Sequence, residues 1–228
     1  MEGVVHRLDG GLVGKCWWVR GEQEVHALAA FYEELAAQHL PWDSPRIDAV
    51  HTHGGRVVSV QEQLHGTPLS EMLESGRLSV ERARWCVARV VADLDATRAG
   101  PAVRALPVLG EGEGLRRAGR AWGQDLGALV AGRAARFALA LGSALPGLEK
   151  LTGQVVAALE GLGSGPEQVV HGDLCPGNIL VGDDGDPTAV LDWGFATTAA
   201  GFFDMYGPRA REHDDALLEA FVARGWGV

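Results

Sequence analysis

The chain has 228 residues, of which 46% are hydrophobic, so it can bury a sizeable core. Its formal net charge of −10 at pH 7 disfavours binding to nucleic acid or anionic lipid, and no apolar run approaches the length of a membrane span. The first residues lack a signal-peptide pattern, and three scattered cysteines are too few for a disulfide framework or a zinc site, so we expect a cytoplasmic protein.

The first 64 residues predict a small β-sheet with one helix. Two β-rich runs, 4–8 and 12–19, flank the turn sequence DGG, whose residues tolerate the positive φ of a hairpin turn. From Glu22 to His39 apolar residues recur every three or four positions, which predicts a helix. The runs 46–50 and 56–64 predict a second hairpin around HTHGG.

The two histidines of HTHGG, His51 and His53, raise the possibility of a metal site. They occupy alternate positions in a predicted hairpin turn, and no third ligand is near them in the sequence. We therefore interpret them as exposed residues at the tip of the turn.

Beyond a connector at 65–67, the pattern becomes mostly helical. Thr67 and Pro68 suit the N-cap and first position of a short helix that ends at Ser75. A longer helix is predicted over 79–98, a loop over 99–114, and two helices within 115–162 that are broken near Pro146. Strands are predicted at 168–170, 179–181 and 188–191, and a terminal helix at 214–223. The fold class is thus α+β, with a β-rich N-terminal lobe over 1–64 and a mostly helical C-terminal lobe over 65–228.

Two segments carry the residues suited to chemistry: HGDLCPGNIL at 171–180 and VLDWGF at 190–195. The turn sequence GDDGD lies between them, so the strands on either side can pair and bring Asn178 and Asp192 to one end of a hairpin. Asp173 precedes that hairpin in a loop. Carboxylate and amide oxygens are ligands that Mg²⁺ prefers, and phosphoryl transfer needs both a metal site and a carboxylate base.

Simpler explanations of these segments exist. An Asp- and Gly-rich turn can carry carboxylates that are merely solvated, although the joint occurrence of HGD, the later Asn and the Asp-Trp-Gly triplet argues against this. Cys175 and His171 suggest a nucleophilic pair, but the position of Cys175 as a spacer residue favours a bystander thiol.

Together the two segments resemble those of the aminoglycoside phosphotransferase (APH) family, small-molecule kinases with a protein-kinase-like, two-lobed fold. The resemblance implies a catalytic loop at 171–180 and a metal-binding segment at 190–195. It implies that Asp173 is the catalytic base, that Asn178 is a metal ligand and that Asp192 is the principal metal ligand. His171 would brace the loop, and Trp193 would orient Asp192 by packing.

The N-terminal lobe offers matching residues for a nucleotide. By the same resemblance, Lys15 would orient the phosphates and pair with Glu24 on the following helix, with Glu33 and Glu34 as alternatives. A solvated strand lysine and a helix N-terminal acid are the simpler explanations of Lys15 and Glu24. QEQLHG at 61–66 resembles the connector that meets adenine.

The resemblance implies a phosphotransferase that uses Mg²⁺ and ATP or GTP and acts on a hydroxyl of a small molecule, such as an aminoglycoside-like antibiotic or a metabolite. The alternative is a catalytically weak or inactive kinase-like binding protein. It is motivated by the fourteen residues before Lys15 and the 36 after Asp192, where the family pattern is longer. The Gly-Asp-Pro…Asp signature is not evident there, Asp204 being the nearest substitute, and a homodimer could complete such a chain.

Overall fold

The structure is a computed structural model, and it describes residues 3–108, 111–161 and 165–200. The N-terminal lobe contains β1 (Gly3–Arg7), β2 (Leu12–Trp17), α1 (Glu22–Ala36), β3 (Ile47–His53) and β4 (Arg56–Glu62). The strands form an antiparallel sheet in the order β1-β2-β4-β3, which contains both predicted hairpins and joins them through β2 and β4. The apolar stripe of α1 is buried, and it contains Val25, Leu28, Phe31, Tyr32 and Leu35.

The second hairpin turns later than the sequence suggests. His51 and His53 belong to β3 rather than to the turn, which is made by Gly54 and Gly55 at positive φ. Both histidines are exposed, and within the described residues no group of three His, Cys, Asp or Glu side chains is arranged to hold a metal ion.

The connector and the helices follow in the predicted order, with three corrections. They comprise β5 (Thr67–Pro68), α2 (Leu69–Glu74), α3 (Val80–Asp95), α4 (Pro101–Ala105), α5 (Trp122–Arg136), α6 (Ala138–Ala144) and α7 (Leu148–Glu160). Thr67 does not cap α2, because it pairs with a later strand. The region predicted as a loop contains α4, and a break at Phe137 adds to the predicted one near Pro146.

The last described part of the chain forms β6 (Glu167–Val170), β7 (Ile179–Val181), β8 (Pro187–Val190) and β9 (Thr197–Ala200). Strands β5, β7 and β8 make one sheet, and β6 pairs with β9 in another. Single 3-10 turns lie at Pro176–Asn178 and Trp193–Phe195. The predicted helix at 214–223 and Asp204 lie outside the described residues.

The two lobes share a core directly behind the candidate site. Trp193 is fully buried, and its ring lies 5.6 Å from that of Phe31 in α1 and stacks at 6.0 Å on that of Trp42. Asp43 extends this contact through backbone hydrogen bonds to β8, namely Asp43 N to Thr188 O and Val190 N to Asp43 O. Aromatic packing of this kind couples the position of α1 to that of residues 192–194. No helix among the described residues is long and apolar enough to cross a membrane.

Candidate active site

The β7–β8 hairpin brings Asn178 and Asp192 to one end, as the sequence predicts. Ile179 pairs with Val190, and just beyond that pair Leu191 N donates a 2.7 Å hydrogen bond to Asn178 O. Asn178 and Asp192 therefore lie next to the last hydrogen bond at the same end of the hairpin.

The loop at 171–180, the predicted catalytic loop, is folded back on itself so that Asp173 stands beside Asn178. Asn178 Nδ2 donates to Asp173 O at 2.9 Å, and Cys175 N donates to the same oxygen at 3.0 Å. The first of these bonds uses the amide nitrogen of Asn178, and its Oδ1 has no hydrogen-bond partner among the described residues, so that oxygen can accept a ligand. The Asp173 carboxylate forms no hydrogen bond or ion pair with the residues that the structure describes, which leaves it available as a base.

His171 joins the loop at 171–180 to the segment at 190–195. It is 2% exposed, its Nε2 lies 2.7 Å from Leu191 O, and its Nδ1 accepts a hydrogen bond from Asp173 N. An Nδ1 that accepts and an Nε2 that donates define a neutral ring with its proton on Nε2. Burial lowers the pKa of His171 from its ordinary value and so favours the same neutral form. His171 thus bridges the two segments, and its bracing role stays a prediction.

Gly172 provides the closest approach between the two segments. Its φ is +84°, and a Cβ built on it would lie 2.2 Å from Phe195 O. Only glycine avoids both the left-handed strain and this overlap. The loop that carries Asp173 thus rests on the 3-10 turn that follows Asp192.

Asp192 has an unusual backbone that presents its side chain to the N-terminal lobe. Its φ and ψ are 58° and 61°, in the left-handed region that Asp tolerates better than most residues. The next residue, Trp193, is locked in place because its Nε1 donates to Val190 O at 2.9 Å. The Asp192 carboxylate is about half exposed, and its Oδ1 lies 3.4 Å from Lys15 Nζ.

The structure places Lys15 with Asp192 and assigns the three candidate glutamates to other contacts. Glu24 Oε2 accepts a hydrogen bond from Gly21 N at 2.8 Å, and within the described residues it makes no ion pair with Lys15. Glu33 pairs with Arg46, and Glu34 accepts backbone hydrogen bonds at the start of α4.

Two residues of this site are absent from the sequence predictions. Trp17 lies under Lys15, whose Nζ is 4.0 Å from the centre of the indole, and Arg20 Nη2 donates to Gly194 O. The signal for Trp17 is its strand position two residues after Lys15, which puts both side chains on one face of β2.

The donor set fits a magnesium ion that is shared with a nucleotide. Asp192 supplies a carboxylate and Asn178 an amide oxygen, and Mg²⁺ is typically held by one or two protein carboxylates together with substrate phosphates and water. A site of this kind needs no cluster of three protein carboxylates.

Comparison with known proteins gives the family. The profile of the phosphotransferase enzyme family, APH, matches residues 20–224. A GDP complex of a point mutant of aminoglycoside 2'-phosphotransferase-IIIa superposes with a TM-score of 0.59 at 15% identity, over 87% of this chain and 65% of that one. A GDP and kanamycin complex of APH(2'')-IIIa gives 0.57 at 16% identity, over 86% of this chain and 65% of that one.

An aminoglycoside-3'-phosphotransferase of type VIII gives a TM-score of 0.50 at 22% identity, over 87% of this chain and 69% of that one. This chain spans about 65% of the length of the two GDP-bound structures. Among curated proteins, none matches the sequence. The structural likeness supports the predicted kinase-like α+β fold, and the profile match shows that the chain belongs to the phosphotransferase enzyme family, APH.

Proposed function

We propose that the chain is a small-molecule kinase that transfers the γ-phosphoryl group of ATP or GTP to a hydroxyl group. The observation that carries the proposal is the convergence of three elements from both lobes. The hairpin places Asn178 beside Asp192, the folded loop places Asp173 beside Asn178, and Lys15 reaches Asp192 at 3.4 Å. Phosphoryl transfer depends on this combination of positioning and charge stabilisation.

Each residue has a distinct part in the proposed reaction. Asn178 and Asp192 would hold Mg²⁺, which when bound supplies positive charge that stabilises the phosphate oxygens. Lys15 would bind phosphate oxygens and share the neutralisation of their charge. Asp173 would accept the proton of the acceptor hydroxyl, a contribution of about 10²–10⁴ in rate. His171 would keep the two segments in register without reacting.

The pairing of Lys15 with Glu24 stays a prediction for the nucleotide-bound state. In the structure Glu24 caps α1, and the two side chains belong to adjacent elements of the same lobe. When a nucleotide binds, Glu24 would leave Gly21 N and move to Lys15. The helix would then lose this cap, and Glu24 and Lys15 would form an ion pair.

The related structures support the class of both substrates. Two of them contain GDP, and one of those also contains kanamycin. A purine nucleotide as donor and a hydroxylated small molecule as acceptor, aminoglycosides included, are therefore the substrates to test first. We place the reaction in the cytoplasm, in keeping with the free thiols of Cys16, Cys86 and Cys175.

The test compares Asp173→Asn with the parent for nucleotide binding and for phosphate transfer to a panel of hydroxylated acceptors. We expect Asp173→Asn to bind Mg-nucleotide as the parent does and to lose about 10²–10⁴ in turnover. Asp183→Asn is the matched control, because it makes the same change in the exposed turn at the far end of the same hairpin.

Two results would contradict the proposal. Unchanged turnover in Asp173→Asn would remove the assigned base. Nucleotide binding by the parent with no transfer to any acceptor would instead indicate the kinase-like binding protein that is the alternative function.

A further inference from the structure

The indole of Trp17 lies beneath two cations of the N-terminal lobe. Lys15 Nζ is 4.0 Å from the ring centre, and Arg20 Cζ is 5.8 Å from it. Both distances are within the range over which the ring face attracts a cation. Lys15 and Trp17 share one face of β2, and Arg20 follows shortly after the strand ends.

A buried hydrogen bond fixes the plane of this indole. Trp17 Nε1 donates to Ser59 Oγ at 3.0 Å, and the two residues are 3% and 0% exposed. In the β2–β4 register Ser59 is opposite Lys15, so Trp17 reaches it as a diagonal neighbour on the same face of the sheet. Because a buried indole N–H without a partner is costly, this bond restricts rotation of the ring.

The two cations above the ring both reach the metal-binding segment of the other lobe. Lys15 Nζ lies 3.4 Å from Asp192 Oδ1, and Arg20 Nη2 donates to Gly194 O. One contact is to the carboxylate that would bind Mg²⁺, and the other is to the backbone two residues later. Both side chains are long and flexible, so a surface that limits their rotamers reduces the entropy lost when they make these contacts.

We propose that Trp17 is a positioning residue for the proposed phosphotransferase: its indole, held by Ser59, sets Lys15 and Arg20 on residues 192–194 and so aligns the two lobes around the phosphates. This inference rests on the proposed function. The sequence predicts that a glutamate orients Lys15. The inference assigns that part to the aromatic ring of Trp17 instead.

The competing explanation is that Trp17 only fills the core, to which it also belongs. A core role and a positioning role both lower stability when the ring is removed. They differ in whether the environment of Lys15 depends on the ring, so that environment must be measured directly.

The chain is suited to this measurement because Lys15 and Lys150 are its only lysines. Protein labelled with ¹³C at lysine Cε gives two side-chain resonances, and Lys150→Arg identifies which belongs to Lys15. A methylene over an aromatic face is shielded, so we expect the Lys15 Hε resonance upfield of the Lys150 resonance. No nucleotide is needed for this arm of the experiment.

Two variants test the ring, and a third is the control. Trp17→Leu removes the aromatic face, and Ser59→Ala removes only the acceptor that holds the indole. In both we expect the Lys15 resonance to move downfield towards that of Lys150. Trp18→Leu is the control, since Trp18 is the adjacent indole and is half exposed. Ser59→Ala removes a single oxygen, and urea titration of each variant confirms that it is folded.

The second arm measures Mg-ATP and Mg-GTP affinity of the same proteins. We expect Trp17→Leu to bind the preferred nucleotide about 2- to 30-fold more weakly, the equivalent of about 0.5–2 kcal/mol. Ser59→Ala is expected to change in the same direction, and Trp18→Leu to match the parent.

The outcomes separate the inference from the function on which it rests. A Lys15 resonance that does not move in Trp17→Leu and Ser59→Ala overturns the inference, as does a Trp17→Leu variant that binds nucleotide as tightly as a binding-competent parent. A parent that binds neither nucleotide overturns the proposed function, and the positioning role with it.

Discussion

Substitution of Gly172 by alanine tests whether contact between the catalytic loop and the metal-binding segment controls activity. At φ +84° any side chain is strained, and the new Cβ would also lie 2.2 Å from Phe195 O and 2.8 Å from Phe195 C. Gly147 separates the two effects, because its φ is +83° and a Cβ there meets nothing within 4 Å. Gly147→Ala therefore carries the backbone strain without the overlap.

The expected magnitudes differ between the two variants. The left-handed conformation costs about 1–2 kcal/mol for a residue with a Cβ, and this applies to both. Relief of the overlap at Gly172 requires a displacement of about 1 Å and adds about 1–3 kcal/mol of overpacking. Displacement of Asp173 from Asp192 by about 1 Å is expected to lower turnover by about 10²-fold in Gly172→Ala alone.

The assay pairs urea denaturation with phosphate-transfer kinetics on the same preparations. Gly172→Ala should unfold at lower urea than Gly147→Ala, with kcat reduced far more than the population of folded protein. Equal stability of the two variants together with parental turnover would refute the argument, since the contact between Gly172 and Phe195 would then not set the position of Asp173.

Two further predictions follow from the pKa directions. Because burial lowers the pKa of His171 in the folded state below its ordinary value of 6.5, the unfolded chain binds that proton more readily, and stability should fall as the pH drops below about 6.5. His171→Gln should flatten this decline between pH 7.5 and 5.5 in urea titrations, and parallel profiles would contradict it. Burial also raises the pKa of the Cys86 thiol, whose Sγ donates to Gly185 O, so mass mapping at pH 8 should find Cys16 and Cys175 alkylated first. Faster alkylation of Cys86 would contradict its buried position.

The elements with strong local patterns could be predicted from the sequence. The two N-terminal hairpins, α1, α3 and the β7–β8 hairpin each have a periodic apolar pattern or a turn sequence, although the second hairpin turns later than its sequence suggests. Because the turn between β7 and β8 can be predicted, so can the proximity of Asn178 and Asp192 at the end of that hairpin. The residues of the predicted catalytic loop stand in one short stretch, so their proximity to one another depends on few tertiary contacts.

Features that depend on distant partners escape such reasoning. Helix α4 has only five residues, and the backbone N–H groups of Gly100, Ala102 and Val103 at its start are bound by Glu34, more than 60 positions away in the chain. Thr67 fits an N-cap locally, but pairing with Val181 places it in a strand instead. Strand β9 likewise exists because β6 offers a partner.

The contacts of charged side chains at the site are also set by tertiary packing. In the sequence, the position of Glu24 suits both a helix cap and an ion pair with a lysine. The three-dimensional arrangement shows that Glu24 caps the helix in this structure. Lys15 approaches Asp192 across 177 positions of the chain, and the packing of Phe31 on Trp193 brings the two lobes close enough for that contact.

The most direct test of the central claim is calorimetric titration of Mg-ATP and Mg-GTP into the parent and into Asp192→Asn. Asn tolerates the left-handed backbone at this position and has nearly the same shape, so the variant removes the negative charge, and with it the ion pair to Lys15, without straining the backbone. The proposed site predicts that the parent binds one of the nucleotides in a magnesium-dependent manner and that Asp192→Asn loses the dependence on magnesium. Binding that is equal with and without magnesium, or equal in parent and variant, would contradict the assignment of Asp192 as the principal metal ligand.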